Sequence, residues 1–218
     1  MAYGVRLRAK GDLACFSRPE MKVERVSYDA ITPTAARGLL SAVYWKPAIR
    51  WIVTRIHVLS EIRLIGIRRN EVASTISPRT VQQAMQTGNV MQLVSDDDRM
   101  QRAALLLRDV DYVIEARFEE TGLDASNPGK HLDQFNRRLR EGRHFCQPYL
   151  GCREFPAALS PVDGDMPASF YQGKPERDLG WMLHDIDFER DAQASFFRAR
   201  MMDGVIDVPP PGSQEVRQ

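Results

Sequence analysis

The sequence predicts an α+β fold. A ferredoxin-like βαββαβ domain is expected over residues 1–156, with a hairpin arm inserted at about 60–104. A small C-terminal antiparallel β-sheet is expected over 157–208, and a disordered tail over 209–218. Three observations carry this reading. Segments that alternate apolar and polar residues recur along the chain, and two segments of helical periodicity lie between them. Their order is strand, helix, strand, arm, strand, helix, strand. The 218 residues are 43% hydrophobic and 27% charged, which suits one large globular domain or a small pair.

Each element has its own signal. Tyr3, Val5, Leu7 and Ala9 alternate with Gly4, Arg6, Arg8 and Lys10, a strand with one basic face. Thr32-Pro33 reads as an N-cap followed by proline at the first helical position. Ala36, Leu39, Leu40 and Val43 then recur at helical spacing, and Pro47 stops the helix by Lys46. Ile49 to Leu59 is rich in β-branched residues and reads as the second strand. Ile62, Leu64 and Ile67 open the arm, in which Pro78, Gly88 and Asp96-Asp97-Asp98 read as turns and loop. Val110, Tyr112, Ile114, Ala116 and Phe118 form the third strand. Asn127-Pro128-Gly129 starts a second helix bearing Leu132, Phe135 and Leu139, with Gly142 as its stop. Tyr149 to Phe155 is expected to be the fourth strand. Trp181 to Phe188 and Phe196 to Met202 are the apolar pieces of the C-terminal sheet, and PPPGSQEVRQ carries the composition of a disordered tail. This topology is the one shared with RNA-recognition modules.

Composition excludes several classes. The longest apolar run, Ala103 to Leu107, is far too short to span a membrane. The start, MAYGVRLRAKGD, lacks the apolar block of a signal peptide, so a cytoplasmic protein is expected. Cys15, Cys146 and Cys152 are too few and too scattered for a disulfide framework. His144, Cys146 and Cys152 have poor spacing for zinc, so no metal or other cofactor is expected.

Charge is unevenly spread. Residues 1–70 hold 13 Lys/Arg against 5 Asp/Glu, a net of +8, and residues 161–218 hold 6 against 11, a net of −5. A basic third beside an acidic end suits a polyanion site, although sequence blocks need not become surface patches.

Three constellations carry chemistry. Lys130 and His131 fall in the first turn of the second helix, where unpaired N–H groups and the positive dipole end welcome a phosphate. A neutral imidazole there can accept a proton, and the lysine can stabilise charge on a phosphate oxygen. The bland alternative is an exposed helix start. Tyr44-Trp45-Lys46-Pro47 closes the first helix; Tyr44 can orient a hydroxyl or stack on a base, against plain core packing for both aromatics. In Tyr149-Leu150-Gly151-Cys152-Arg153-Glu154-Phe155, Gly151 permits close backbone approach and Arg153 offers a planar fork, against a bulged strand with an Arg153–Glu154 pair. Arg137 and Arg138 on the second helix suit phosphate contact or simple solvation equally. The sequence has no carboxylate cluster of two-metal type and no GxSxG, HExxH or phosphate-loop motif. Cutting of nucleic acid would then use metal-free acid–base chemistry on RNA, whose 2′-hydroxyl is its own nucleophile.

Six ordered pieces resemble a known family: GDLACFSRPEMKVERVSYD, TPTAARGLLSAVYWKPAIRW, RDVDYVIEARF, NPGKHLDQFNRR, PYLGCREF and DLGWMLHDIDF. Together they resemble the CRISPR-associated Cas-five family of subtype I-C, its d-type, from about residue 3 to residue 208. The resemblance implies a metal-independent endoribonuclease that cuts CRISPR precursor RNA within each repeat, next to the stem-loop. It implies that the protein then stays on the 5′ handle of the guide RNA, beside the Cas-seven backbone and the large Cas-eight subunit. It matches the catalytic groups to Tyr44, Lys130 and His131. Lys46, Arg137, Arg138, Gly151 and Arg153 are RNA-contact candidates from charge and position alone. Two other readings compete: a subunit that holds guide RNA without cutting, and a duplex-DNA binder.

Overall fold

The structure, a computed structural model, describes residues 4–218 apart from 22, 93, 95, 123–128 and 189. The expected helix start at Asn127-Pro128 lies outside the described residues.

The elements run β1 (Gly4–Ala14), β2 (Arg25–Val26), α1 (Pro33–Val43), β3 (Ile49–Val58), β4 (Arg63–Val72), α2 (Pro78–Thr87), β5 (Arg99–Glu120), α3 (Gly129–Arg140), β6 (Ala158–Pro161), β7 (Arg177–Asp187), β8 (Gln193–Met202) and β9 (Val205–Asp207). The fold is α+β, with one large sheet in the order β6-β1-β5-β3-β9-β8-β7. Neighbours along that path are antiparallel. No helix among the described residues is long and apolar enough to cross a membrane.

Local chemistry sets the helices. Thr32 caps α1, its hydroxyl accepting from the Ala35 N–H at 3.3 Å, and Pro33 follows at the first helical position. Gly142 ends α3 with φ +65°: its N–H donates to Leu139 O, and the Arg143 N–H donates to Arg138 O at 2.8 Å. That pair of bonds is the Schellman arrangement, which favours glycine at this position. Helices α1 and α3 touch each other and pack on one face of the sheet. The core there is aromatic. Trp51 of β3 lies opposite Phe118 of β5 in register, and the Phe135 ring of α3 sits 4.9 Å from Trp51.

The structure departs from the expected elements in five places. The fourth strand is β6, Ala158–Pro161, and not Tyr149–Phe155. That earlier segment crosses the end of β1, with the Cys15 N–H donating to Leu150 O at 3.0 Å. Gly151 has φ +82°, and a Cβ there would lie 2.0 Å from Cys15 O, so its glycine serves a turn and a backbone crossing. The expected Arg153–Glu154 pair is absent among the described ion pairs, because Glu154 is taken by Arg25 and Arg69. Pro78 and Gly88 are not turn residues of an open loop. They bound α2, which Ser77 caps and which buries no side chain. The C-terminal strands do not form a separate sheet, since β9 joins β3 to β8. The tail is ordered: Phe196 and Arg217 exchange backbone bonds of 2.7 and 2.8 Å, and the Arg217 guanidinium covers the Trp181 ring.

β4 pairs with residues 99–108 of β5 and lies off the main path of the sheet. The second half of β5 continues between β1 and β3. One 22-residue strand therefore runs from the arm into the core.

Candidate active site

The first turn of α3 meets the C-cap of α1. Phe118 and Trp51 form the floor, and the imidazole of His131 stands edge-on to Phe118 at 6.0 Å. His131 is buried at 2% exposure, and Tyr44 beside it at 3%. Tyr44 is held from below by the Trp51 indole N–H, which donates to Tyr44 O at 2.9 Å. The Tyr44 hydroxyl lies 2.9 Å from His131 Nδ1, a hydrogen bond between residues 87 apart in sequence. His131 Nε2 has no hydrogen-bond partner among the described residues. An unpaired nitrogen in so enclosed a ring is costly unless a ligand completes it.

These two rings border a cavity of 530 Å³ lined also by Lys46, Pro47, Ala48, Lys130, Gln134 and Arg138. Lys130, Gln134 and Arg138 follow one another at a spacing of four and share a face of α3. The Arg138 guanidinium lies over the Tyr44 ring at 5.4 Å and donates to Val43 O at 3.2 Å. No ion pair to Lys46, Lys130 or Arg138 occurs among the described residues, and the described lining holds these three cations and no carboxylate.

Of the residues singled out from sequence, Tyr44, Lys46, Lys130, His131 and Arg138 converge here. Arg137 points to another side of α3 and donates to Gln134 at 2.9 Å. Gly151 and Arg153 belong to the loop over β1 and do not line this cavity. Trp45, expected in the core, is 54% exposed. Gln134 was missed; its spacing from Lys130 and Arg138 was the available signal.

The basic strand face lies elsewhere. Leu7 and Ala9 point to the helical side and are fully buried, so Arg6, Arg8 and Lys10 point to the other. There Arg8 makes a two-pronged bond to Asp111, at 2.9 and 2.7 Å. Lys10 reaches Asp111 at 3.3 Å, and Arg6 and Arg55 reach Glu115 at 3.4 and 3.9 Å. His57 is 3.4 Å from the same Glu115; burial holds its imidazole below the ordinary range, against the pull of that carboxylate.

Comparison with known proteins supplies the family context. The sequence model of a family described as CRISPR-associated protein (Cas_Cas5), the Cas5d group, matches residues 4–209. A protein of Mannheimia succiniciproducens named CRISPR pre-crRNA endoribonuclease Cas5d is 52% identical, covering all of both chains. A Thermus thermophilus protein of the same name is 40% identical over 97% of this chain and 94% of its own. Two solved structures are similar in fold. One, a CRISPR-associated protein, gives a TM-score of 0.72 at 23% identity, covering 99% of this chain and 96% of its own. The other, a functionally uncharacterized Streptococcus mutans protein, gives 0.69 at 21%, covering 99% and 97%.

Proposed function

This chain belongs to the Cas5d family of CRISPR-associated proteins, and from that premise we propose that it is the endoribonuclease that cuts CRISPR precursor RNA within the repeat. The observation that carries the reading is the Tyr44–His131 hydrogen bond at the wall of a cation-lined cavity.

The chemistry is metal-independent in this reading. His131 is proposed to take the proton of the RNA 2′-hydroxyl, with the Tyr44 hydroxyl, 2.9 Å from its Nδ1, orienting the ring. The 2′-oxygen attacks the adjacent phosphorus, and the bond to the 5′-oxygen of the next nucleotide breaks. Lys130, with Lys46 and Arg138 behind it, stabilises the charge that builds on the phosphate oxygens. A proton returned to the leaving oxygen completes the step. The products are a 2′,3′-cyclic phosphate on one fragment and a 5′-hydroxyl on the other. Arg137, Gly151 and Arg153 are proposed to touch the RNA outside the cavity. The protein then stays on the 5′ handle of the guide RNA, with the Cas-seven and Cas-eight subunits as partners; the family likeness supports this. We also propose a ferredoxin-like unit ending near residue 156, followed by a small β-rich unit to 208. The strand order β6-β1-β5-β3, with α1 and α3 on the crossovers, supports the first unit, and β6 (Ala158–Pro161) carries its end past 156 to about 161.

The test is cleavage of a synthetic CRISPR repeat RNA in EDTA. One cut with a cyclic phosphate end is expected, and a 2′-deoxy nucleotide at the scissile position should block it. Cutting that requires magnesium, or that survives the 2′-deoxy change, overturns the mechanism. Tight binding without any cutting would favour a purely structural handle-binding subunit.

A further inference from the structure

A second cavity, of 360 Å³, opens along the other side of α1. Its walls include Phe16 and Ser17 beyond β1, Thr34 and Gly38 on α1, and Cys146 and Tyr149 in the loop after α3. No Lys, Arg, Asp or Glu lines it. Apolar and aromatic walls with a few hydroxyls and no formal charge suit a flat, uncharged ring better than a phosphate.

Gly38 is the residue that folding leaves unexplained. It sits inside α1, where glycine weakens a helix relative to alanine. Its backbone is ordinary helix, and a Cβ placed on it would meet nothing within 4 Å. Neither conformation nor packing therefore asks for a glycine. A bare helical wall facing a cavity lets a ligand approach the backbone closely.

The loop opposite supplies aromatic rings to solvent. Phe145 is 78% exposed and Tyr149 38%. The Phe145 N–H donates to Ala42 O at 2.6 Å, which ties the loop to α1 two residues before Tyr44. Ala42 borders this cavity and Tyr44 borders the cationic one, so the two cavities are served by residues two apart at the end of α1. Exposed rings beside a cationic track stack readily on unpaired bases.

We propose that this cavity takes one unpaired nucleobase of the repeat RNA, close to the scissile linkage, stacked on Tyr149 and lying against the bare backbone at Gly38. The proposal rests on the endoribonuclease reading of the Tyr44–His131 cavity and adds a device for selecting its substrate.

Gly38→Leu fills the cavity, and since its Cβ meets no neighbour the melting temperature should not fall. Tyr149→Ala removes the ring from a half-open position. Binding is read by fluorescence anisotropy on labelled repeat RNA with a 2′-deoxy nucleotide at the cut site, which keeps it intact. Each variant should bind about tenfold more weakly. A scan of RNAs with single abasic nucleotides should find one position that weakens binding to the unaltered protein by a similar factor and leaves Gly38→Leu no weaker than before. Unchanged affinity in both variants, or an abasic scan with no such coupled position, overturns the pocket. Cutting of ordinary repeat RNA by the unaltered protein in EDTA is scored alongside. Its failure strikes the Tyr44–His131 reading, whereas unchanged affinities strike only the pocket.

Discussion

Two regions of this molecule carry positive charge, and they use it in opposite ways. On the face of the sheet away from the helices, Arg6, Arg8, Lys10 and Arg55 are interleaved with Asp111 and Glu115, and each cation has a carboxylate within 4 Å. At the meeting of α1 and α3, Lys46, Lys130 and Arg138 surround Tyr44 and His131, with no such carboxylate among the described residues. A strand that looks basic in sequence can thus have each of its cations paired in the fold, while three scattered cations gather around one cavity with no such pairing among the described residues. What decides is whether the neighbouring strand brings acids into register.

The largest effect should fall on His131. His131→Ala removes the proposed base and the Tyr44 contact together, and should slow cutting at least ~100-fold in single-turnover assays while binding persists. Tyr44→Phe keeps the ring and loses only the hydroxyl that orients it, so its loss of rate should be smaller. Equal rates for His131→Ala and the unaltered protein would return the cleft to the status of a packed helix junction.

The next effect belongs to a cation whose charge is spent on structure. Arg37, on α1, grips Asp185 of β7 with two bonds of 2.6 and 2.5 Å. Burial pushes the Asp185 carboxyl up, but the Arg37 bonds and charge outweigh it and hold the group below its usual value. A carboxyl held low in the folded state adds stability above the unfolded value, roughly pH 4, and loses it as pH falls through the folded value. Asp185→Asn should therefore cost about 2 kcal/mol at neutral pH, read by urea unfolding. The gap between variant and unaltered protein should narrow below about pH 4. A gap equally wide at pH 7 and in acid would mean that the charge contributes nothing. Repeat-RNA affinity of the folded variant should be unchanged, which sets paired cations apart from those of the cleft.

Much of the architecture could be read from residues because half-buried strands alternate. β1 alternates buried and more exposed side chains along most of its length, the core half of β5 does so apart from a buried run at Tyr112–Ile114, β3 betrays itself by β-branched residues although Trp51–Val53 are all buried, and α1 and α3 carry both periodicity and end signals. α2 escaped because it buries nothing, so no apolar stripe exists to find. Its Ser77-Pro78 start nevertheless repeats the Thr32-Pro33 pattern. Tyr149–Phe155 looked like a strand because its apolar residues serve a crossing over β1, where Leu150 and Phe155 are buried from a turn. The site was half visible. Residue types and a family likeness pointed to Tyr44, Lys130 and His131, but a bond spanning 87 residues is a property of the packed sheet. The net charge of the first 70 residues suits a polyanion partner but overstates the unpaired cations, since Asp111, Glu115, Glu154 and Asp185, all from later in the chain, pair with several of them.

The smallest effects give the sharpest test of the contrast between the two regions. Lys46→Ala and Arg8→Ala each delete one cation, so a simple count of charge would treat them alike. The fold does not. Lys46 is free to meet a phosphate, and its loss should weaken repeat binding several-fold and flatten the salt dependence by about 0.7 in slope, the value for one contact to single-stranded RNA. Arg8 already faces Asp111, and replacing it exposes that carboxylate while removing a partly exposed ion pair worth about 1 kcal/mol or less. Its affinity should stay within about twofold of the unaltered protein and its salt slope should not move. The reverse experiment is Asp111→Asn, which unmasks Arg8 and Lys10 and should raise binding to unrelated RNA at low salt only. Were Arg8→Ala to lower affinity and salt slope as much as Lys46→Ala, the sheet face would be part of the RNA path, and carboxylate pairing would no longer mark which cations are available.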